Sequence, residues 1–157
     1  MSLLAKLKQL LGRKTDPEHL RRGRLGEQAA KRHLQDRGME FLTANYRSAH
    51  GEIDLVFRDG NPEAAGKLFA GNGTDCLVFA EVKTRTLGQW TRPASAVNAR
   101  KRKLLSATAL CYLREVGSPR IRIRFDIVEV LLRDETVQEV RHLPNAFPLE
   151  GNLIYPV

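Results

Sequence analysis

Four residues of the 157-residue chain could do chemistry together: Glu52 and Asp54 in GEIDLVF, and Glu81 and Lys83 in LVFAEVKT. Both stretches read as strands. Side chains alternate along a strand, so Glu52 shares a face with Asp54, and Glu81 with Lys83. A buried carboxylate is costly unless a cation, a proton or hydrogen bonds satisfy it. If the two strands pair as neighbours, Asp54 and Glu81 converge, with Lys83 one step further along. Glu27, on the helix that precedes them, could close the cluster from above. Gathered carboxylates raise at least one pKa unless a cation relieves them. A hard divalent ion, Mg²⁺ or Mn²⁺, does so with oxygen ligands, several waters and a substrate phosphate. Such an ion activates a water and neutralises charge on a phosphodiester. Lys83 could orient that water or stabilise the developing negative charge. The alternatives are a solvated strand face for Glu52 and Asp54, and a same-face ion pair of little energetic weight for Glu81 and Lys83.

Several elements must position these groups. Thr15 or Asp16 can cap a helix opened by T-D-P-E, with Pro17 in the first turn and Glu18 completing a capping box. It runs through HLRRGRLGEQAAKRHLQDR to Gly38, with small residues Gly26, Ala29 and Ala30 beside Glu27. MEFLTANYR and GEIDLVFR read as the first two strands, the second ending at the turn signal Asp59-Gly60. Residues 61–75 read as a mobile loop or an extended hairpin connection. CLVFAEVKT, apolar on both faces at its start, reads as a central strand. ASAVNARKRKLLSATALCYLREV reads as a long helix ended by Gly117 and Pro119. IRIRFDIVEVLL is a fourth strand. Asp134 and Glu135 turn it into a fifth, TVQEVRHL. This α-β-β-β-α-β order predicts an α/β domain around a mixed sheet.

The bulk numbers set the class. The chain is 42% hydrophobic and 28% charged, which fits a soluble globular protein, and its length favours one domain. No apolar run approaches the ~20 residues that span a bilayer, so no membrane span and no membrane partner is expected. MSLLAKLKQLLGRK lacks the apolar region of a secretory signal and predicts an amphipathic basic helix over 1–14, docked on this domain or on a partner, with attachment to a membrane surface the lesser alternative. Cys76 and Cys111 lack metal-site spacing and read as reduced thiols of a cytoplasmic protein. The four histidines are scattered without zinc-site spacing. The net charge of +8 points to an anionic partner, nucleic acid first. From Thr84 to Arg114 there is no Asp or Glu, while Arg85, Arg92, Arg100, Lys101, Arg102, Lys103 and Arg114 accumulate.

GEIDLVFRDG, LVFAEVKTR, the AV…K…L…A…YL helix and RFDIVEV, in that order, resemble the bacterial YraN-like uncharacterised family. RLGEQAAKRHL and the following NYR resemble its opening segment. The likeness covers about residues 20 to 132. It implies the restriction-endonuclease-like, PD-(D/E)XK fold and a kinship with archaeal Holliday-junction resolvases. It implies that Asp54 and Glu81 are metal ligands, Lys83 the catalytic lysine, and Glu27 the helix glutamate that assists the metal site. The "PD" pair is here Ile53-Asp54. The stretch 61–75 exceeds the usual turn, and the leader before residue 15 looks additional. Lys101 matches a family lysine, so of the consecutive Arg100, Lys101, Arg102 and Lys103 it is the one expected to face the site. The other three are solvated or touch backbone phosphates, with Lys103 carried as a phosphate contact.

Arg85, just after E-x-K, is placed to contact phosphate. Trp90 could stack on an unpaired base or pack on the sheet edge. Asp126 shares parity with Arg122 and Arg124 and reads as a structural ion-pair partner. Tyr46 and Arg47 read as strand-end packing. The tail 144–157 is expected to be irregular, leaving a nuclease-like domain over 15–143. The resemblance favours DNA over RNA, a branched substrate, and a homodimer, since a junction resolvase cuts two strands. The expected function is metal-dependent hydrolysis of nucleic-acid phosphodiesters. The alternatives are a non-catalytic nucleic-acid-binding module on the same fold, and an assembly factor whose leader helix docks a partner.

Overall fold

The computed structural model describes residues 17–60, 75–88 and 97–151. The expected helix 1–14, the caps Thr15 and Asp16, Trp90 and all but the last residue of the 61–75 stretch lie outside the described residues. The elements are α1 (Glu18–Gln35), β1 (Glu40–Ser48), β2 (Gly51–Asp59), β3 (Cys76–Thr86), α2 (Ala99–Glu115), β4 (Arg122–Arg133) and β5 (Thr136–Phe147). This is the expected α-β-β-β-α-β order with a fifth strand appended. The strands form one mixed sheet in chain order, β1-β2-β3-β4-β5. All neighbours run antiparallel except β3 and β4, which are parallel and joined across α2.

The central position of β3 follows from its buried run Leu77–Glu81. Its two faces feed two cores. Leu77 and Phe79 pack with Leu105, Ala109 and Leu113 of α2 and with Phe125 and Ile127 of β4. Val78 and Ala80 pack with Ala30 and Leu34 of α1, Leu55 and Phe57 of β2, and Val128 and Val130 of β4. Helix α1 lies flush on β3 at one point. A Cβ on Gly26 would fall 1.8 Å from Thr84 Oγ1, so only glycine lets the helix sit this close to the Thr84 side chain.

Four local expectations change. Pro17 is the N-cap of α1, and its carbonyl accepts from the N–H groups of Leu20 and Arg21. Helix α2 begins at Ala99, because the Asn98 side chain accepts the Lys101 N–H at 2.8 Å and caps it. Asp59 is not a turn residue. It is buried inside β2 and accepts from Arg124 at 2.7 Å. Strand β5 runs on through Pro144 to Phe147. An edge strand tolerates proline, and here the register slips between Phe125 and Ile127. Asn145, at φ 51°, gives its N–H to Asp126 Oδ1 at 2.9 Å. Phe147 then stacks on Phe125 at 4.9 Å.

Asp126 is the hub of a buried network. It accepts from Arg124 Nε at 3.0 Å and lies 2.8 Å from His142 Nε2, while Arg124 also reaches Asp59. The structural role read for Asp126 is thus what the packing shows.

Candidate metal centre at the β2–β3 fork

The β2–β3 ladder pairs Asp59 with Cys76 through to Leu55 with Ala80, and there it stops. Continued by one step, it would set Asp54 against Glu81. The strands instead part, and the Asp54 side chain takes the ladder's place: its Oδ2 accepts the Val82 N–H at 2.7 Å. The two carboxylates therefore meet in the fork between the central strand and its neighbour. On β1, Asn45 falls between the pairs Ala44–Leu55 and Tyr46–Ile53, opposite Asp54, and sits at φ 52°. An asparagine adopts this left-handed conformation more readily than most residues.

Glu81 is buried, its side chain only 6% exposed, and its two oxygens have different surroundings. Oε1 receives Lys83 Nζ at 2.8 Å and Lys101 Nζ at 3.2 Å. Oε2 is buried with no hydrogen-bond partner among the described residues. A buried carboxylate oxygen without a partner is expensive, and a cation is the natural occupant of that side.

Asp54 carries the electrostatic mark of the site. Its pKa is raised from 3.8 to about 7. Burial is the main cause, and the Glu81 and Glu27 charges add to it. The Val82 N–H and the Lys101 ammonium act the other way. Glu27 stands on the helix of the opposite face and reaches the fork through Asn45, whose Nδ2 donates to Glu27 Oε2 at 3.4 Å.

The structure thus brings together Asp54, Glu81, Lys83 and Lys101, with Glu27 at the margin. Glu52 is not among them: it pairs with Arg47 at 2.9 Å on the exposed hairpin. Arg85 is also engaged elsewhere. Its Nε lies 2.9 Å from Glu129 Oε1 on the neighbouring strand β4, and Glu129 also lies 3.6 Å from Arg141. Lys103 is exposed on α2 and Arg102 is taken by Glu150 at 2.7 Å, so of the four consecutive cations Lys101 is the one at the fork. Sequence reasoning missed Asn45. Its signal was an asparagine, a poor strand former, in the middle of TANYR.

Among the described residues, no three His, Cys, Asp or Glu side chains gather closely enough to hold an ion between them. The donor set at the fork is two carboxylates, one with a free buried oxygen. That suits Mg²⁺ or Mn²⁺, which can be held by one or two carboxylates plus waters and phosphate. Zinc is typically held by a fuller set of protein ligands, largely His and Cys. Cys76 and Cys111 are free thiols, and burial pushes Cys76 up to about 11, away from nucleophilic use. A cavity of about 600 Å³, lined by His19, Arg22, Gly23, Val82 and Thr84 among others, opens on the α1 side of the same stretch of β3. Among the described residues no helix is long and apolar enough to cross a membrane.

Known proteins share this chain's sequence across the same elements. The chain is 35% identical to a UPF0102 protein of Trichlorobacter lovleyi over 127 residues, 81% of this chain and 90% of that one. It is 36% identical to a UPF0102 protein of Porphyromonas gingivalis over 133 residues, covering 84% and 87%. It is 36% identical to one of Pelotomaculum thermopropionicum over 126 residues, covering 80% and 93%. The profile of the uncharacterised protein family UPF0102 matches residues 26–130, from the Gly26 contact through α1 and the fork to β4. The chain belongs to the uncharacterised protein family UPF0102.

Proposed function

We propose that this protein is a divalent-metal-dependent phosphodiesterase acting on nucleic acid. The observation that carries this reading is the fork. Asp54 leaves the β ladder to face Glu81, whose Oε2 is buried and unpaired, with Lys83 2.8 Å from the other oxygen. Asp54 and Glu81 would hold Mg²⁺ or Mn²⁺. When bound, the ion would supply an activated water and neutralise charge on the phosphodiester. Asp54 must give up its proton to serve as a ligand. Lys83 presents an ammonium to the reacting phosphate and stabilises the negative charge that grows as the P–O bond breaks. Glu27, bonded to Asn45, borders the fork and would assist the metal site from its margin. Lys101, Lys103 and other exposed cations on α2 hold the backbone. DNA is the expected polymer, branched DNA the expected form, and a homodimer the expected state, all three on the strength of resemblance alone.

The test is incubation of purified protein with linear, single-stranded and four-way-junction DNA in Mg²⁺ and in Mn²⁺, beside Asp54→Ala and Lys83→Ala. Product from the wild type that both substitutions abolish supports the reading. Product that persists in both variants contradicts it.

A second reading is a binding module without catalysis. What favours it is the pair of ammonium groups already on Glu81 Oε1 and the lack of a third acidic ligand among the described residues. It predicts DNA binding that survives EDTA, weakens steeply with salt, and yields no product.

A further inference from the structure

Lys101 stands in an unfavourable place for its own helix. It belongs to the first turn of α2, where the positive end of the helix dipole disfavours cations. That turn holds no acidic residue, and Arg100, Arg102 and Lys103 surround it in the sequence. Arg102 is explained by Glu150 and by the Val97 carbonyl, which it meets at 2.7 and 3.0 Å. Among the described residues, the ion pair that Lys101 makes is at the fork. Its Nζ lies 3.2 Å from Glu81 Oε1, an oxygen that Lys83 already satisfies at 2.8 Å. Lys101 is therefore a second ammonium on the carboxylate that Asp54 faces, and the more exposed of the two.

We infer that Lys101 is a built-in counter-ion of the fork, which neutralises Glu81 in the metal-free protein and which a divalent ion must displace. This rests on the metal reading given above. Two oppositely placed needs are met by one side chain. Without a metal, Asp54 and Glu81 repel each other, and an ammonium on Glu81 relieves that repulsion. With a metal, the same ammonium is a like charge at close range and must swing away. The Lys101 side chain is 42% exposed, so it has solvent to swing into, and its backbone N–H stays fixed by Asn98. Lys101 is thus a positioning residue that sets how tightly the fork takes its ion.

The experiment is calorimetric titration of Mn²⁺ into the full chain without nucleic acid, for the wild type, Lys101→Gln, Lys101→Arg and Asp54→Asn. Thermal melts of each confirm folding. A partly exposed ion pair is worth little, so Lys101→Gln is expected to bind Mn²⁺ roughly fivefold more tightly than the wild type. Lys101→Arg keeps the charge and returns to the wild-type affinity. Asp54→Asn loses binding. Unchanged or weaker binding by Lys101→Gln, with Asp54→Asn still abolishing it, overturns the counter-ion role and leaves the metal reading standing. No binding by the wild type, or equal binding by Asp54→Asn, overturns both.

Discussion

Asp54 is the residue on which the proposed chemistry turns, and its protonation gives it a measurable signature. Its pKa in the folded protein is about 7, above the usual 3.8, mainly because it is buried and faces Glu81. The folded state therefore holds this proton more tightly than the unfolded chain does. Stability from this group is greatest below about pH 4, declines as pH rises through the interval to about 7, and is level above it. In EDTA, Asp54→Asn removes that decline. Melting curves should show the wild type losing ground to Asp54→Asn between pH 5 and pH 8, and a pH-independent gap would contradict the burial of this carboxylate. Mn²⁺ affinity runs the opposite way: it should rise with pH up to about 7 and then flatten, because the ligand must be ionised. Lys83→Ala should fold normally, keep Mn²⁺ binding and lose cleavage, a separation of metal occupancy from turnover that product assays and titration together reveal.

At the scale of elements, the fork exists because β2 and β3 stop pairing at Leu55 and Ala80 and α1 presses on the far side of β3. The Gly26–Thr84 contact sets the height of α1, and hence the reach of Glu27 to Asn45. Alanine is the better helix former by about 1 kcal/mol. Even so, Gly26→Ala should destabilise the fold by about 1–3 kcal/mol, the usual cost of overpacking. Denaturant unfolding of Gly26→Ala, Thr84→Ala and the double variant checks this. The double variant should recover part of the loss, and simple additivity would show that the contact is not the cause. Much of this level was legible in the sequence. Reading β2 and β3 as neighbours brought Asp54 to Glu81, although strict alternation along GEIDLVF breaks at the fork, where Ile53 and Leu55 enter different cores. The glycine and alanines around Glu27 announced a close helix–sheet approach. What the residues could not announce was a side chain replacing a backbone partner, since ladder breaks depend on strand twist rather than on residue type. Arg85 shows the same limit. Its place after E-x-K pointed to phosphate, but its partner Glu129 comes from a strand forty-four residues later.

Across the whole molecule, two charge systems do different work. On the α1 side the Asp59–Arg124–Asp126–His142 network is buried and satisfied. Removing its one guanidinium takes a buried cation away from Asp59 and Asp126, so Arg124→Ala should cost about 3–5 kcal/mol or prevent folding. Urea unfolding measures it, and a loss under 1 kcal/mol would mean the network is relaxed in solution. Parity made the Arg124–Asp126 part readable. Asp59 was not, because D-G is also the commonest short turn signal. The other system is the excess of +8, which predicts nucleic-acid binding that weakens steeply as salt rises. Charge alone cannot separate a nuclease from a binding module, since both need the same cations. The metal at the fork can. A crystal of this protein soaked in Mn²⁺ and measured at the manganese edge should show an anomalous peak ligated by both Asp54 and Glu81, with Lys101 turned away from Glu81. A map with manganese elsewhere, or with Lys83 and Lys101 still closed on Glu81 and no peak between the two carboxylates, would contradict the metal centre proposed here.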